Sequence, residues 1–262
     1  MDIFNFSINQ IERFIIVLIR VSGIIMMLPI LGSRSVPIQT RIGLSFVLSL
    51  IILPLLTIRI EVLLSDIFSL IPVLAGELMI GMIIGFASRI VFTAIELGGM
   101  LIGFQMGFGI VNILDPQTSQ QVPIIGQFQT ILATLIFLTI NGHYYFISAI
   151  MKSFQIIPPI SFYFSSVLME NILRIFNQVF IIAVKISAPI TIVILLTNVL
   201  LGLISRTLPQ MNVFIVGYPL IIGMGLLILG FSLPLFSMFL RNVVFTGMNE
   251  NMFTLMRIMG SR

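Results

Sequence analysis

The sequence predicts an all-α integral membrane protein, and two long uncharged segments are the first reason. No Lys, Arg, Asp or Glu lies between Asp115 and Lys152, or between Arg206 and Arg241. Each segment is long enough to cross a bilayer as a helix, which takes about 20 residues. Composition is the second reason, because 58% of the residues are hydrophobic and 8% are charged, whereas a soluble domain is about 25% charged. A cytosolic enzyme is therefore not expected.

Helices are expected throughout, since the strand-length alternation of a membrane barrel is missing and helices satisfy their own backbone hydrogen bonds in lipid. The apolar stretches number six or seven, depending on how the longest one is divided. They cover residues 14–32, 42–58, 67–111, 124–140, 172–204 and 213–240, and a short tail follows at 241–262. Stretch 67–111 is too long for one crossing, so we expect two helices or a hairpin there.

Proline residues lie inside or near the ends of most of these stretches. They are Pro29, Pro54, Pro72, Pro189, Pro219 and Pro234. A proline inside a helix removes one backbone hydrogen bond and clashes one turn back. Two interpretations remain open: ordinary kinks, which membrane helices tolerate, or broken helices and helical hairpins that do not cross completely.

Among the charged residues inside the apolar stretches, we single out Glu77, Arg89, Glu96 and Lys185. A charge at the centre of a membrane helix costs about 2.5–3.5 kcal/mol, so each of these residues needs a partner or an aqueous face. Local pairing, or snorkelling at helix ends, is one explanation. Helices that line a polar, protein-enclosed surface are the other.

Arginine placement bears on the number of crossings. Arg34 and Arg41 flank the first polar link, and Arg241, Arg257 and Arg262 lie in the tail. The positive-inside rule places both regions in the cytoplasm. The N-terminus, one crossing before the first link, then lies on the opposite side, so the number of crossings from the N-terminus to the tail must be odd. Six complete crossings are an even number and do not meet this condition. Two explanations therefore remain open: seven crossings, or some helix pairs that form re-entrant hairpins.

Glycines recur at four-residue spacing, which places them on one helix face where another backbone can approach closely. Gly81 and Gly85 form one such pair, and Gly99, Gly103 and Gly107 form a series. We expect tight helix contacts at these positions, either within the chain or with a partner.

Methionines recur in a similar way in the tail. Met248, Met252, Met256 and Met259 fall on one side of a helix. This spacing predicts an amphipathic helix that packs on a partner or on the membrane surface.

Residues suited to metal binding or catalysis are scarce. The sequence has no Cys and a single His, His143, so we expect no metal site, no cofactor and no catalytic residue. His143 follows Gly142, and we expect it to cap a helix end. The N-terminal segment lacks a positive region and a small-residue cleavage site, so we expect it to be retained.

Four regions carry a resemblance to a known family. They are SRSVPIQTRIGLSFVLSLIILP at 33–54, GELMIGMIIGF and GGMLIGFQMGFGIVNILDP at 76–86 and 98–116, IFLTINGHYYFISAIMKSFQIIP at 136–158, and GLISRTLPQMNVFIVGYPL at 202–220. In this order, and over essentially the whole chain, they resemble the FliR family of type III secretion export-gate proteins, which has flagellar and injectisome members.

The resemblance implies a single export-gate membrane domain over residues 1–262 and no enzymatic activity. Its partners would be FliP-like and FliQ-like subunits, packed with it in a helical assembly, together with FlhB-like and FlhA-like export components. Unfolded secreted proteins would pass through the channel of this assembly. The location implied is the bacterial inner membrane, at the flagellar basal body.

The resemblance also implies a loop at about 107–122 that closes the pore. Its residues are Gly107, Phe108, Gly109, Ile110, Val111, Asn112, Ile113, Leu114, Asp115, Pro116, Gln117, Thr118, Ser119, Gln120, Gln121 and Val122. The apolar members suit a constriction that excludes water, and the polar, uncharged members suit a wet lumen. Without the resemblance, the same segment is compatible with an ordinary exposed loop between two crossings.

Three alternatives remain. The first is the equivalent subunit of a virulence injectisome. The second is a stand-alone secondary transporter with a site at broken helices that uses Glu77, Arg89 or Lys185. The third, an intramembrane enzyme, lacks a paired catalytic set.

Overall fold

The computed structural model describes residues 8–33, 36–56, 67–108, 123–159, 161–208, 210 and 212–260, and the regular secondary structure in these ranges is helical. The main helices are α1 (Ile8–Met27), α2 (Ile38–Ile52), α3 (Ile67–Gln105), α4 (Ile124–Thr139), α5 (His143–Ile156), α6 (Ser166–Thr207), α7 (Val213–Phe239) and α8 (Phe245–Gly260). A 3-10 turn at Leu53–Leu55 follows α2, and a π-helical turn at Leu240–Val244 joins α7 to α8. The predicted all-α membrane class is confirmed.

The expectation of two helices or a hairpin over 67–111 is wrong. Helix α3 continues for 39 residues, with Pro72 inside it. Pro72 lies in the second turn, where its missing N–H removes only the bond to the carbonyl of residue 68. Glu77, the first charge along α3, has an ionic partner in the same chain, Arg20. The helix therefore needs neither a break nor a turn to accommodate these residues.

Prolines further along the chain also lie inside helices that continue without a break. Helix α6 continues for 42 residues through Pro189, and α7 continues for 27 residues through Pro219 and Pro234. In both helices the proline is surrounded by long apolar runs that favour helix in a membrane.

A broken span does occur at α4 and α5. The two helices are bent by 70° at the three-residue break 140–142. Asn141 in this break has a φ of 57°, in the left-handed region that ends helices. A helix needs about 20 residues to cross a bilayer, and neither of these two helices is that long. This pair is thus either one bent span or a re-entrant element.

Within the described residues, four helical segments are long and apolar enough to cross a membrane, or five if the bent pair counts as one span. The candidate crossings found in the described residues are therefore fewer than the six or seven apolar stretches of the sequence. The difference arises partly because α3 is one helix. It also arises because α1, the first predicted stretch, carries Glu12, Arg13 and Arg20 within its 20 residues.

The chain divides into two compact units, each with its own core. The first unit comprises residues 1–90, 141–175 and 247–262. Its core includes Ile16, Val17 and Val21 of α1. Helix α8 packs on α5 in this unit, where the Lys152 Nζ lies 4.4 Å from the ring centre of Phe253.

The predicted role of the methionines in α8 is wrong. Met248, Met252, Met256 and Met259 are all buried within the chain, so they do not form a surface for a partner or for the membrane. Their helical spacing identified the correct face. The face turns inward because it fills the protein's own core, a role that suits the flexible Met side chain.

The second unit comprises residues 91–140 and 176–246. Its core cluster joins α3, α4, α6 and α7 through Ile102, Ile125, Ile194 and Leu229, among others. Three aromatic rings also pack together in this unit. The ring centres of Phe92, Phe137 and Phe245 are 5.2–6.0 Å apart, within the range of favourable aromatic pairs.

The middle of helix α2 buries two serines and exposes large apolar side chains. Ser45 and Ser49 are buried, and each hydroxyl donates to the carbonyl four residues earlier, at 2.8 and 2.7 Å. Ile42, Phe46 and Ile51 are 46–57% exposed. A helix surrounded by water shows the opposite arrangement. This one is typical of a membrane helix that packs through small residues.

Candidate functional site: a buried ion pair and two glycine crossings

Arg20 of α1 is the centre of a buried polar network in the first unit. Its Nε–H donates to the Glu77 Oε2 at 2.5 Å, and the two side chains are 0% and 1% exposed. Its Nη1 donates to the carbonyl oxygens of Ser153 and Ile157, at 3.0 and 2.9 Å. The guanidinium carbon lies 4.3 Å from the ring centre of Phe154. One side chain thus connects α1, α3 and the C-terminal end of α5.

This network satisfies groups that are costly to bury alone. The last carbonyls of a helix have no partner within that helix, and Arg20 supplies hydrogen bonds at the end of α5. Glu77 offsets the charge of Arg20, and ionised hydrogen bonds are stronger than neutral ones. The Nη2 of Arg20 is the one part of the guanidinium for which the described residues provide no acceptor.

The other predicted intramembrane charges lie in different environments. Arg89 of α3 and Lys185 of α6 are exposed on the chain, and Glu96 of α3 is half-buried. For Glu77, the structure shows an ion pair with Arg20 of a different helix, and both side chains are buried rather than facing an aqueous surface. No such distinction follows for the other three residues.

Gly81 and Gly85 lie where α3 crosses α1 in the first unit. A Cβ added at Gly81 would collide with the Arg20 carbonyl and lie 3.1 Å from the Gly23 Cα. A Cβ at Gly85 would lie 2.7 Å from the carbonyl oxygen of Ile24. Only glycine lets the two backbones come this close. The crossing places Glu77 one turn from Gly81, within reach of Arg20.

Gly99 lies at a second crossing, between α3 and α4 in the second unit. A Cβ at Gly99 would collide with the Gly126 Cα and lie 2.8 Å from the Gly126 nitrogen. From the other side of the crossing, a Cβ added at Gly126 would lie 3.0 Å from the Glu96 carbonyl oxygen. The sequence series had not included Gly126, which comes from a different helix.

Gly103 and Gly107 have other environments. A Cβ at Gly103 would make only ordinary contacts, at 3.7 Å, with Ile125. Gly107 follows the end of α3 with a φ of +86°, and a Cβ there would lie 3.3 Å from the Tyr218 ring. The positive φ is typical of the glycine that ends a helix. The three glycines of the series therefore have different roles: Gly99 lies at a backbone crossing, Gly103 makes ordinary side-chain contacts, and Gly107 ends a helix.

The predicted pore-closing loop lies mostly outside the described residues. Gly107 and Phe108 are described, and Phe108 is half-buried against the core cluster of the second unit. Residues 109–122 lie outside the described ranges, so the role of the loop stays a prediction.

His143 is the first residue of α5, as expected for a residue at a helix end. Its ring packs on that of Tyr144, and its Nδ1 is enclosed without a hydrogen-bond partner. Capping through that nitrogen is not observed. Among the described residues, no group of three His, Cys, Asp or Glu side chains is placed to hold a metal ion.

Sequence reasoning missed Arg20. The signal was present, because Arg20 lies in the middle of the apolar stretch 14–32, and a charge in such a stretch calls for a partner. The partner could not be identified from the sequence, since Glu77 lies 57 positions away and the two carbonyl acceptors lie more than 130 positions away.

Comparisons with known proteins bear on the whole chain. The family described as "Bacterial export proteins, family 1" matches residues 11–246. The chain is 34% identical to the flagellar biosynthetic protein FliR of Bacillus subtilis over 260 residues, which is 98% of this chain and 99% of that protein. It is 32% identical to FliR of Aquifex aeolicus over 235 residues, or 88% and 90% of the two chains. It is 29% identical to FliR of Escherichia coli over 226 residues, or 86% of each chain.

Proposed function

The chain belongs to the family of bacterial export proteins, family 1, and on this premise we propose that it is a core subunit of the flagellar type III protein export gate. Its similarity to FliR proteins extends over nearly the full length of both chains. The relatives named above are flagellar, which favours a flagellum over an injectisome. The membrane helices of the fold agree with a membrane location, and we propose the inner membrane at the basal body.

The main structural support is the extent of apolar surface on α6. This helix has 42 residues, about twice the number that a crossing needs. Within the second unit, Phe176 and Leu203 are 51% and 55% exposed. They are 27 residues apart in the sequence, or about 40 Å along a helix. The hydrocarbon core of a bilayer is about 30 Å thick, so an upright helix would leave part of this surface outside the lipid.

Partner subunits would cover the rest of this surface. We propose that FliP-like and FliQ-like subunits pack on it to form a channel for unfolded flagellar proteins. FlhB-like and FlhA-like components would complete the apparatus. The exposed side chains of α6 are aliphatic and aromatic with few charges, as expected for a permanent interface.

We further propose that the segment 107–122 closes this channel. Phe108, Ile110, Val111, Ile113 and Leu114 would exclude water from a narrow pore. We also propose that the chain has no catalytic role. Its family consists of export components, and the groups of the polar network at Arg20 hydrogen-bond to one another and connect helices.

Export of flagellar proteins tests the proposed function. Deletion of the gene should abolish the appearance of flagellin and hook protein in the culture medium, and a plasmid copy should restore it. The intracellular amounts of the same proteins serve as the control for synthesis. Normal export in the deletion strain would contradict the proposal.

A further inference from the structure

Lys185 is an exposed cation in the middle of an apolar helix. It lies in α6, 19 residues after Ser166 and 22 residues before Thr207, which is about 28 Å and about 33 Å from the two ends of the helix. Its side chain is exposed, and the described residues provide it with neither an ion-pair partner nor a hydrogen bond. Glu96, a carboxylate of α3 in the same unit, is not paired with it. Lys185 therefore has no counter-charge in the described part of the chain.

The surface around Lys185 is apolar in both directions along the helix. At about 100° per residue, Ile181, Ile192 and Leu196 lie within about 40° of Lys185 around the helix axis. Their side chains are 46%, 58% and 56% exposed, and all of these residues belong to the second unit. We call Ile181, Lys185, Ile192 and Leu196 the Lys185 face. This face is an apolar stripe that carries one positive charge.

A lipid headgroup is the alternative partner for Lys185, since lysine side chains extend towards the membrane surface. A headgroup at this position would leave one half of α6 outside the hydrocarbon. The N-terminal half would then expose Phe180 and Val184 to water, or the C-terminal half would expose Leu196 and Leu203, all of which are more than half exposed on the chain. Apolar surface of this kind marks protein interfaces. With the bilayer in either position, a protein partner is still needed next to Lys185.

Hydrocarbon on both sides of Lys185 is also unfavourable, because a charge inside the membrane is costly without a partner. A helix of another subunit that carries one Asp or Glu removes both difficulties. Its apolar side chains would pack on Ile181, Ile192 and Leu196, and its carboxylate would accept a charge-assisted hydrogen bond from the Lys185 Nζ. Polar groups of membrane helices pair across helix interfaces in this way.

We propose that the Lys185 face binds an apolar helix of another export subunit through an ion pair between the Lys185 Nζ and an Asp or Glu carboxylate of that helix. The inference rests on the proposed function and adds the position and chemistry of one contact between subunits. The partner carboxylate lies opposite the middle of α6, within about 4 Å of the Nζ.

Substitutions of Lys185 test the contact. Lys185→Glu brings two carboxylates together, and Lys185→Met leaves the partner carboxylate buried without a counter-charge, so both should weaken the contact. Lys185→Arg keeps the positive charge and is the conservative variant. Arg206→Met is the matched control. Arg206 is another exposed cation of α6 without an ion-pair partner among the described residues, but it lies in the last turn of the helix.

Each full-length variant is purified from native membranes in mild detergent, and the co-purified export subunits are quantified per chain. We expect Lys185→Glu and Lys185→Met to reduce them about tenfold or more, whereas Lys185→Arg and Arg206→Met should retain most of them. Equal recovery in all four variants would overturn the inference. Loss of bound phospholipid without loss of subunits would also overturn it, because that result identifies a lipid headgroup as the partner.

Failure of the inference is distinguishable from failure of the proposed function. A wild-type chain that brings down no export subunit would overturn the proposed function. A wild-type complex that is unaffected by the Lys185 substitutions would overturn only the inference. Resistance to carbonate extraction, measured for each variant, separates a lost contact from a chain that does not insert.

A measurement on the unaltered protein does not depend on the stability of the variants. A carbodiimide activates a carboxylate, and an amine in contact with it then forms an amide bond while the carbodiimide leaves as a urea. Dicyclohexylcarbodiimide, which enters apolar regions, should join the Lys185 Nζ to an Asp or Glu of another subunit in the purified wild-type complex. Mass spectrometry of the cross-linked peptides identifies that residue.

The identified residue allows an exchange of charges. Lys185→Glu combined with a lysine at the identified position should restore the subunits that Lys185→Glu alone loses. A Lys185 side chain that cross-links only within its own chain, or that stays unmodified while other lysines of the complex react, would contradict the proposal.

Discussion

Arg20 and Glu77 form a salt bridge of 2.5 Å that joins α1 to α3 where both side chains are almost completely buried. Each residue lies one turn or less from a glycine at which the two helices touch, Gly23 in α1 and Gly81 in α3. The close backbone approach brings the two side chains together, and the ion pair fixes the position at which the helices cross. The pair and the crossing therefore depend on each other.

Removal of one member of the pair should destabilise the protein strongly. Glu77→Leu leaves Arg20 charged and buried, which costs about 3–5 kcal/mol. Arg20→Met should have a similar effect, and the double variant should be more stable than either single variant. Thermal unfolding of the purified protein in detergent measures the three differences. Destabilisation in the double variant equal to the sum of the two single effects would mean that the side chains do not interact.

An exposed ion pair supplies the control for that experiment. Glu170 and Arg174 of α6 are 3.8 Å apart and mostly exposed. Exposed pairs contribute little because solvent screens them. Glu170→Leu should therefore leave the unfolding temperature unchanged within error.

Gly99 and Gly103, which both lie in α3 in the second unit, should respond differently to the same substitution. Gly99→Ala places a methyl group against the Gly126 backbone, so the helices must separate, and we expect a loss of about 1–3 kcal/mol. Gly103→Ala makes only contacts at 3.7 Å, and it should be neutral or stabilising because Ala favours helix over Gly by about 1 kcal/mol. Thermal unfolding in detergent compares them. Equal effects would contradict the crossing at Gly99.

A charge on the outer face of α2 should oppose membrane insertion. Val47 is 51% exposed near the middle of the apolar segment Ile38–Leu55. Val47→Lys should cost about 2.5–3.5 kcal/mol if this face contacts lipid, and Val47→Leu should be neutral. The fraction of the protein that resists carbonate extraction from membranes measures insertion. Unchanged insertion of the lysine variant would place this face against water or a polar surface.

The proposed closure of the channel predicts a change in ion permeability. Deletion of 109–121 should leave assembly intact and make the membrane leak ions, because the apolar residues that exclude water are lost. A same-length variant that changes Ile110, Val111, Ile113 and Leu114 to Gln should leak as well. A variant that changes only 117–121 to Gly and Ser should stay sealed. Ion conductance of cells carrying each variant is the measurement, and a sealed membrane in the deletion strain would refute the closure.

Local sequence patterns predicted the features that depend on nearby residues. The apolar segments of α2 and α7 follow from composition, and the break between α4 and α5 lies at the polar residues that begin with Asn141. The inward face of α8 follows from the spacing of its methionines. What covers that face could not be predicted, since periodicity is the same for a core and for an external partner.

Features that depend on distant residues were missed or misjudged. The burial of Glu77 in α3 is offset by Arg20, which lies 57 positions away in the sequence. The crossing at Gly99 depends on Gly126 in another helix. Spacing alone treated Gly99, Gly103 and Gly107 as equivalent, although only the first meets another backbone.

The most direct test of the central claim is the composition of the complex that contains this chain in its native membrane. Purified through a tag in mild detergent, the chain should be recovered in a large particle with FliP-like and FliQ-like subunits at a fixed ratio. Mass photometry and quantitative mass spectrometry of the same sample provide that ratio. Recovery of a stable, solitary chain that transports a solute by itself in liposomes would contradict the account.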